Sequence, residues 1–283
     1  MNSGINFLYE PSQFEKLEAL GFFKKFNQNR STDFALDSNI AWSRPHVCTD
    51  YNTSDFFICY FGILGYVTNL NMYGEDYFLK IINATMETLD VQYHEVDKTR
   101  WGYRIFSDNI VIYAKKSSNP SINRTILLSF LKDIYIMQRN FMGQYRIFLR
   151  GGISEVPFFF DDKFVFGSGL ISAYEIENKI AIYPRIIISS DLIGHILEGE
   201  DDPCSDLLKR ILARDTDNEY FIGYLNSLGP YGYASTGYVY FHRQIIQHQL
   251  ASLTHQRVID KYEWCRKYHN SICELYELTD LLI

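Results

Sequence analysis

Apolar residues recur along this chain with two different periods. From Phe56 to Tyr66 it reads FFICYFGILGY, a nearly continuous apolar run that suits a strand buried on both faces, with Gly62 and Gly65 near its end for a tight turn. Leu70, Tyr73, Tyr77, Phe78, Ile81, Ile82, Thr85, Met86 and Leu89 then follow at three- and four-residue steps, which predicts one long amphipathic helix lying on a sheet. Trp101 to Lys116, WGYRIFSDNIVIYAKK, predicts two short strands meeting at Ser107-Asp108-Asn109, residue types that favour turns, with Asp108 at the tip. Helical spacing returns from Ile122 to Met142. YRIFLRGGIS (Tyr145 to Ser154) reads as a strand, and PFFF before Asp161-Asp162 as a short strand and turn. Phe166-Gly167-Ser168-Gly169 opens a short helix, LISAYEIE, and YPRIIIS supplies another strand.

The predicted order is β-α-β-β-α-β-(β)-α-β. Strands alternating with helices around a central hairpin imply an α+β fold, a split βαβ or ferredoxin-like palm with one sheet and its helices on one face. Beyond Asp191 two apolar stripes, in FHRQIIQHQLASLTHQ and VIDKYEWCRKYHNSICELYEL, predict helices that cover the domain or pair with a second copy. The expected organisation is an N-terminal extension over 1–54, a core domain over 55–190 and a mainly helical C-terminal extension over 191–283.

Composition narrows the classes of function. At 283 residues, 47% hydrophobic and 22% charged, the chain is an ordinary globular protein with an excess of aromatics, 22 Tyr and 21 Phe. Its net charge of −7 leaves no global positive field to hold a nucleic-acid backbone or an anionic membrane. Something other than net charge must then attract an anionic substrate, and metal ions are the obvious candidate. The first residues carry no basic segment followed by an apolar one, and no run reaches the ~18 apolar residues of a membrane span. Five scattered cysteines, Cys48, Cys59, Cys204, Cys265 and Cys273, form neither a disulfide framework nor a zinc cluster, which points to the reduced cytoplasm. His242, His248 and His255 are spaced too widely along a helix for zinc and are read as surface or dimer-contact residues.

In a palm of this order the end of the first strand and the hairpin tip lie side by side, where two carboxylates can bridge two Mg²⁺ or Mn²⁺ ions. The ordered set FSDNIVI, LRGGIS, VFGSGLISAYEIE with YPRIII, and KYEWCRKYHN resembles the class III nucleotidyl cyclases, and more closely their bacterial Pycsar-type pyrimidine branch. The resemblance covers Phe56 to Ser189 plus the terminal helix. It implies a metal-dependent homodimer, with sites at the interface, that converts UTP or CTP to a 3′,5′-cyclic monophosphate and pyrophosphate as a signal in anti-phage defence. It makes Asp108 the second metal-binding aspartate, lets Ile63 offer a backbone carbonyl to a metal, and lets Gly65 and Tyr66 admit a triphosphate to the next helix. It also exposes a gap, because Gly62 stands where the family has its first metal-binding aspartate.

No nearby acid replaces that aspartate. Asp55 lies seven residues upstream, roughly 23 Å away at about 3.3 Å per strand residue, and Glu75 and Asp76 lie about 15 Å along a helix. Asp161 and Asp162 belong to another loop. Three readings stay open: a change from the native residue at position 62, a catalytically inactive pseudo-cyclase that binds nucleotide or dimerises, or a partner subunit that completes the site. The helix after Gly169 places Ile171 and Glu175 where purine cyclases carry an Asn and an Arg. A phosphate-binding arginine could then be Arg150 or Arg185, although an arginine at such a strand end is more often a structural ion-pair partner.

Overall fold

The computed structural model describes residues 54–93, 101–160, 165–197, 203–226 and 236–283. All but the last residue of the expected N-terminal extension lies outside the described residues, as do Cys48, Asp161 and Asp162. Strand β1 (Ser54–Ile63) runs into helix α1 (Tyr66–Tyr73) and then α2 (Glu75–Tyr93). Where periodicity predicts one helix there are two, because Gly74 takes φ +81, a conformation that interrupts the helix and that glycine alone adopts readily. The hairpin of β2 (Trp101–Phe106) and β3 (Asn109–Lys115) closes through Ser107 and Asp108.

Helix α3 (Pro120–Tyr145) begins with Pro120 after an Asn119 cap whose side chain accepts from the Ser121 N–H, the arrangement that satisfies a free donor where proline has none. Strand β4 (Leu149–Phe160) absorbs the PFFF segment into one continuous element, and β5 (Val165–Phe166) pairs with its end. Then come α4 (Ser168–Glu175), a π turn (Ile176–Ile180), β6 (Ile186–Ile188), α5 (Ser190–Leu197) and α6 (Pro203–Ile211). The last third adds strands β7 (Leu212–Arg214) and β8 (Tyr220–Ile222), which the helical pattern does not announce. They precede α7 (Thr236–Ser252), α8 (Gln256–Leu275) and a 3₁₀ turn at Thr279–Leu281.

The sheet order is β2-β3-β1-β4-β6-β8-β7. Its first four strands are mutually antiparallel neighbours, and with the intervening helices they form the expected ferredoxin-like palm. β1 is central and alternates between two cores. Phe57, Cys59, Phe61 and Ile63 pack with residues of α2, α3, α7 and α8, while Phe56 and Ile58 join Val111, Tyr113, Phe158 and Ala173 on the other face. Each such fully buried apolar side chain contributes about 1.5–3 kcal/mol. The expectation of helices on one face is corrected here, since α4 covers the face opposite α2 and α3. Gly152 of β4 permits it: a Cβ there would collide with the Ala173 carbonyl and Ile176. Among the described residues no helix is long and apolar enough to cross a membrane.

The histidine reading also changes at one position. His242 is fully buried, stacked on His269 with ring centroids 5.4 Å apart. His269 donates from Nε2 to the Leu281 carbonyl at 2.8 Å, since a carbonyl only accepts. Its Nδ1 must then accept from His242 Nδ1 at 3.2 Å, and His242 Nε2 accepts from the Tyr224 hydroxyl at 3.1 Å. The chain of bonds ties α7, α8 and the C-terminus together with both rings neutral. Burial pushes both histidines below their ordinary value of 6.5, aided at His242 by His269, and at His269 opposed by the bond to the Leu281 carbonyl and aided by Arg243. Below pH 6.5 the unfolded chain therefore binds more protons than the folded one, and stability falls with pH by up to about 1.4 kcal/mol per pH unit for each histidine. Thermal melts should be level from pH 8 to 7 and decline from pH 6.5 to 5; a midpoint unchanged across that lower window would contradict the neutral pair.

Candidate functional site

Register builds the site. Gly62 of β1 lies opposite Asn109 of β3 on one side and Arg150 of β4 on the other. All three therefore share the face covered by α4, one row across the sheet at the end of β1. The hairpin tip is stitched to that row, because the Ile63 N–H donates to the Asp108 carbonyl at 3.1 Å. The Asp108 carboxylate accepts from Asn109 Nδ2 at 3.1 Å. At Gly62 a Cβ would stand 3.0 Å from Asn109 Oδ1, so the asparagine amide fills much of the space a larger residue would need.

Two further elements close the site. Because α4 sits tightly on β4 at Gly152, the π turn that follows brings Glu177 down beside Arg150, and the two form an ion pair with the Glu177 side chain only 8% exposed. Lys261 of α8 lines the same place, within electrostatic reach of Arg150 and Glu177. The result is a cavity of about 250 Å³ lined by Tyr60, Gly62, Ile63, Leu64, Gly65, Asp108, Asn109, Arg150, Tyr174, Glu177 and Lys261. Lys261 is lowered from its ordinary value by burial and by the Arg150 charge, against the pull of Glu177. Tyr60, edge-on to Tyr174 at 5.5 Å, is raised by burial, then by Glu177, Tyr174 and Asp108, so its hydroxyl stays a donor. Two cations, two carboxylates and tyrosine hydroxyls thus surround one small space.

Of the residues that sequence places at a site, Gly62, Ile63, Gly65, Asp108 and Arg150 are brought together here. Tyr66 opens α1 but turns its ring into the core, edge-on to Phe78 at 4.8 Å. Arg185 is not at the cavity. It is buried, its guanidinium bonded to Asp215 and Asp217 in the β7–β8 turn, while Trp264 Nε1 donates to the same Asp215 at 2.6 Å. The Arg185 bond holds Asp217 below the usual carboxylate range. Sequence reasoning passes over Tyr60, Asn109, Tyr174, Glu177 and Lys261. Glu177 lies in a π turn that shifts its helical phase, and Lys261 arrives from a helix almost two hundred residues after β1.

The donors do not fit a two-ion centre. Asp108 is a carboxylate at the right place, Gly62 offers none, and Glu177 is committed to Arg150. Among the described residues no three His, Cys, Asp or Glu side chains group to hold a metal.

No protein-family model matches this chain, and no curated protein matches it in sequence. Among solved structures it is similar to the guanylate cyclase domain of RhGC from Catenaria anguillulae in complex with GTP, at 15% identity and a TM-score of 0.40, over 60% of this chain and 96% of that one.

The roles of the two arginines separate by stability. Arg185→Gln should cost about 3 kcal/mol in urea unfolding, because it leaves Asp215 without its buried partner; a loss below about 1 kcal/mol would show that the clasp is not structural.

Proposed function

We propose that this cavity receives the phosphates of a nucleoside triphosphate, and that the chain is a nucleotide-binding, cyclase-type palm that does not cyclise its ligand unaided. The observation that carries the reading is the convergence of Arg150 and Lys261 on a cavity where Gly62 leaves the first carboxylate position empty of charge. A protein of net charge −7 needs local cations to attract a triphosphate, and these two supply them. Arginine suits phosphate through its planar fork, lysine as a point charge. The Tyr60 hydroxyl is a further donor. At about 250 Å³ the space lies below the ~300–1,000 Å³ of sites that enclose a whole drug-sized ligand, so it suits the phosphate end, with sugar and base outside it, against the surface or a second copy of the chain. By the family resemblance the base is a pyrimidine, as in UTP or CTP. A part in anti-phage signalling then falls to nucleotide occupancy rather than to a cyclic product.

The full cyclase reading keeps one observation in its favour, the place of Asp108 at the hairpin tip beside the end of β1. A two-metal reaction would need a carboxylate at position 62, and the Asn109 amide is the flexible end of a side chain that can give way to one.

Calorimetry with UTP, CTP and GTP, with no divalent metal present, should show binding that weakens about tenfold or more in Arg150→Ala and in Lys261→Ala, the loss expected of a charge-assisted hydrogen bond. With Mn²⁺ and UTP or CTP the unaltered protein should release no pyrophosphate, whereas Gly62→Asp should form cyclic monophosphate. Absence of binding by all three nucleotides would overturn the nucleotide reading, and pyrophosphate release by the unaltered protein would overturn its non-cyclising half.

A further inference from the structure

The pocket that would take phosphate already contains an anion of its own. The Glu177 carboxylate is buried and paired with Arg150, and it lines the cavity together with Lys261. Carboxylate and phosphate are recognised by arginine through the same fork of donors. With Glu177 in place the four charged side chains of the cavity, Arg150, Lys261, Asp108 and Glu177, sum to zero. Without it they leave one net positive charge facing the space, in a partly buried setting where screening is weak.

The backbone that presents Glu177 is unlike that of the helix before it. Ile176–Ile180 forms a single π turn, closed by the Ala181 N–H to the Ile176 carbonyl at 2.8 Å. Such turns add a residue to a helix and appear frequently at functional sites. The turn is anchored through Ile176 against Gly152, but Asn178, Lys179 and Ile180 are exposed. Lys179 pairs outward with Glu175 at 2.6 Å. Glu177 therefore lies one residue from solvent in a turn held at its two ends by buried Ile176 and Ala181 and exposed between them at residues 178–180, so its carboxylate can leave the cavity by movement of its own side chain and of that exposed middle.

We propose that Glu177 is an internal competitor of the phosphate: in the empty protein its carboxylate occupies the phosphate's place on Arg150, and it leaves when a polyphosphate binds. The inference rests on the nucleotide reading and adds its regulation. The competitor raises the ligand concentration needed for occupancy and keeps two neighbouring cations from repelling each other in the empty state. It also converts ligand binding into movement of the π turn on the outer face of the sheet.

The test is calorimetric titration of the full chain with inorganic tripolyphosphate, free of divalent metal, comparing the unaltered protein with Glu177→Gln, whose amide keeps the shape and loses the charge. The glutamine variant should bind about tenfold tighter or more. If the unaltered protein binds and Glu177→Gln binds equally or more weakly, the competitor is refuted while the nucleotide reading stands. If neither the unaltered protein nor a folded Glu177→Gln binds tripolyphosphate, the nucleotide reading falls and takes the competitor with it. Should the variant fail to fold, hydrogen exchange on the unaltered protein decides: saturating tripolyphosphate should speed exchange across residues 176–181, and slower or unchanged exchange there would refute the displacement.

Discussion

Strand β1 is hydrogen-bonded on both sides, to β3 and to β4, and its register sets Gly62 between Asn109 and Arg150. In a pleated sheet a slip of one residue turns every side chain to the opposite face. Here a slip would drive Phe57 and Phe61 out of the large core and turn Phe56 and Ile58 away from α4. Two apolar faces therefore lock the register, and the locked register fixes which polar residues share the row at the end of the strand. That row is the floor of the candidate site. Its chemistry is decided by three residues: Asn109, whose amide occupies space, Gly62, which has no side chain, and Arg150, with its guanidinium.

The consequence is a change in the electrostatic character of a familiar location. A palm with acids at the end of β1 and at the hairpin tip presents negative charge to a pair of cations. This palm presents Asp108, already hydrogen-bonded to Asn109, and sets Arg150 and Lys261 around it. On the proposed reading, attraction to phosphate would come from Arg150 and Lys261 once Glu177 gives way. Burial gives that arrangement its strength, since the same pair of cations on an open surface would be screened within about 10 Å at ordinary salt.

The palm was legible because its elements carry strong periods: the apolar run of β1, the stripes of α2 and α3, and turn residues at Ser107 and Asp108. Asp108 at the hairpin tip beside the end of β1 follows from those elements, whereas Ile63 and Gly65 enter the site only through the family resemblance. The side of the sheet taken by α4 was not legible, because it depends on close approach at Gly152, and a glycine in a strand does not say what approaches it. Glu177 and Lys261 were lost for different reasons. A five-residue π turn breaks the i, i+4 phase by which exposed and buried helix positions are told apart, and the placement of α8 is a long-range packing outcome. The same limit hid His242, whose neutral, bonded state needs His269 and Tyr224 from distant segments. Arg185 shows the converse. A strand-end arginine near glycine and proline reads more often as a structural ion-pair partner than as a phosphate ligand, and the β7–β8 turn supplies Asp215 and Asp217 to hold it; which acids pair with it is a long-range outcome.

The central claim is that the end of this sheet binds phosphate through protein cations. A crystal structure of the unaltered protein grown with tripolyphosphate and Mn²⁺ tests it most directly, because anomalous scattering distinguishes manganese from phosphorus. The account predicts phosphate density between Arg150 and Lys261. Two manganese ions bound at Asp108 and the end of β1, or phosphate bound elsewhere with this cavity unchanged, would contradict it.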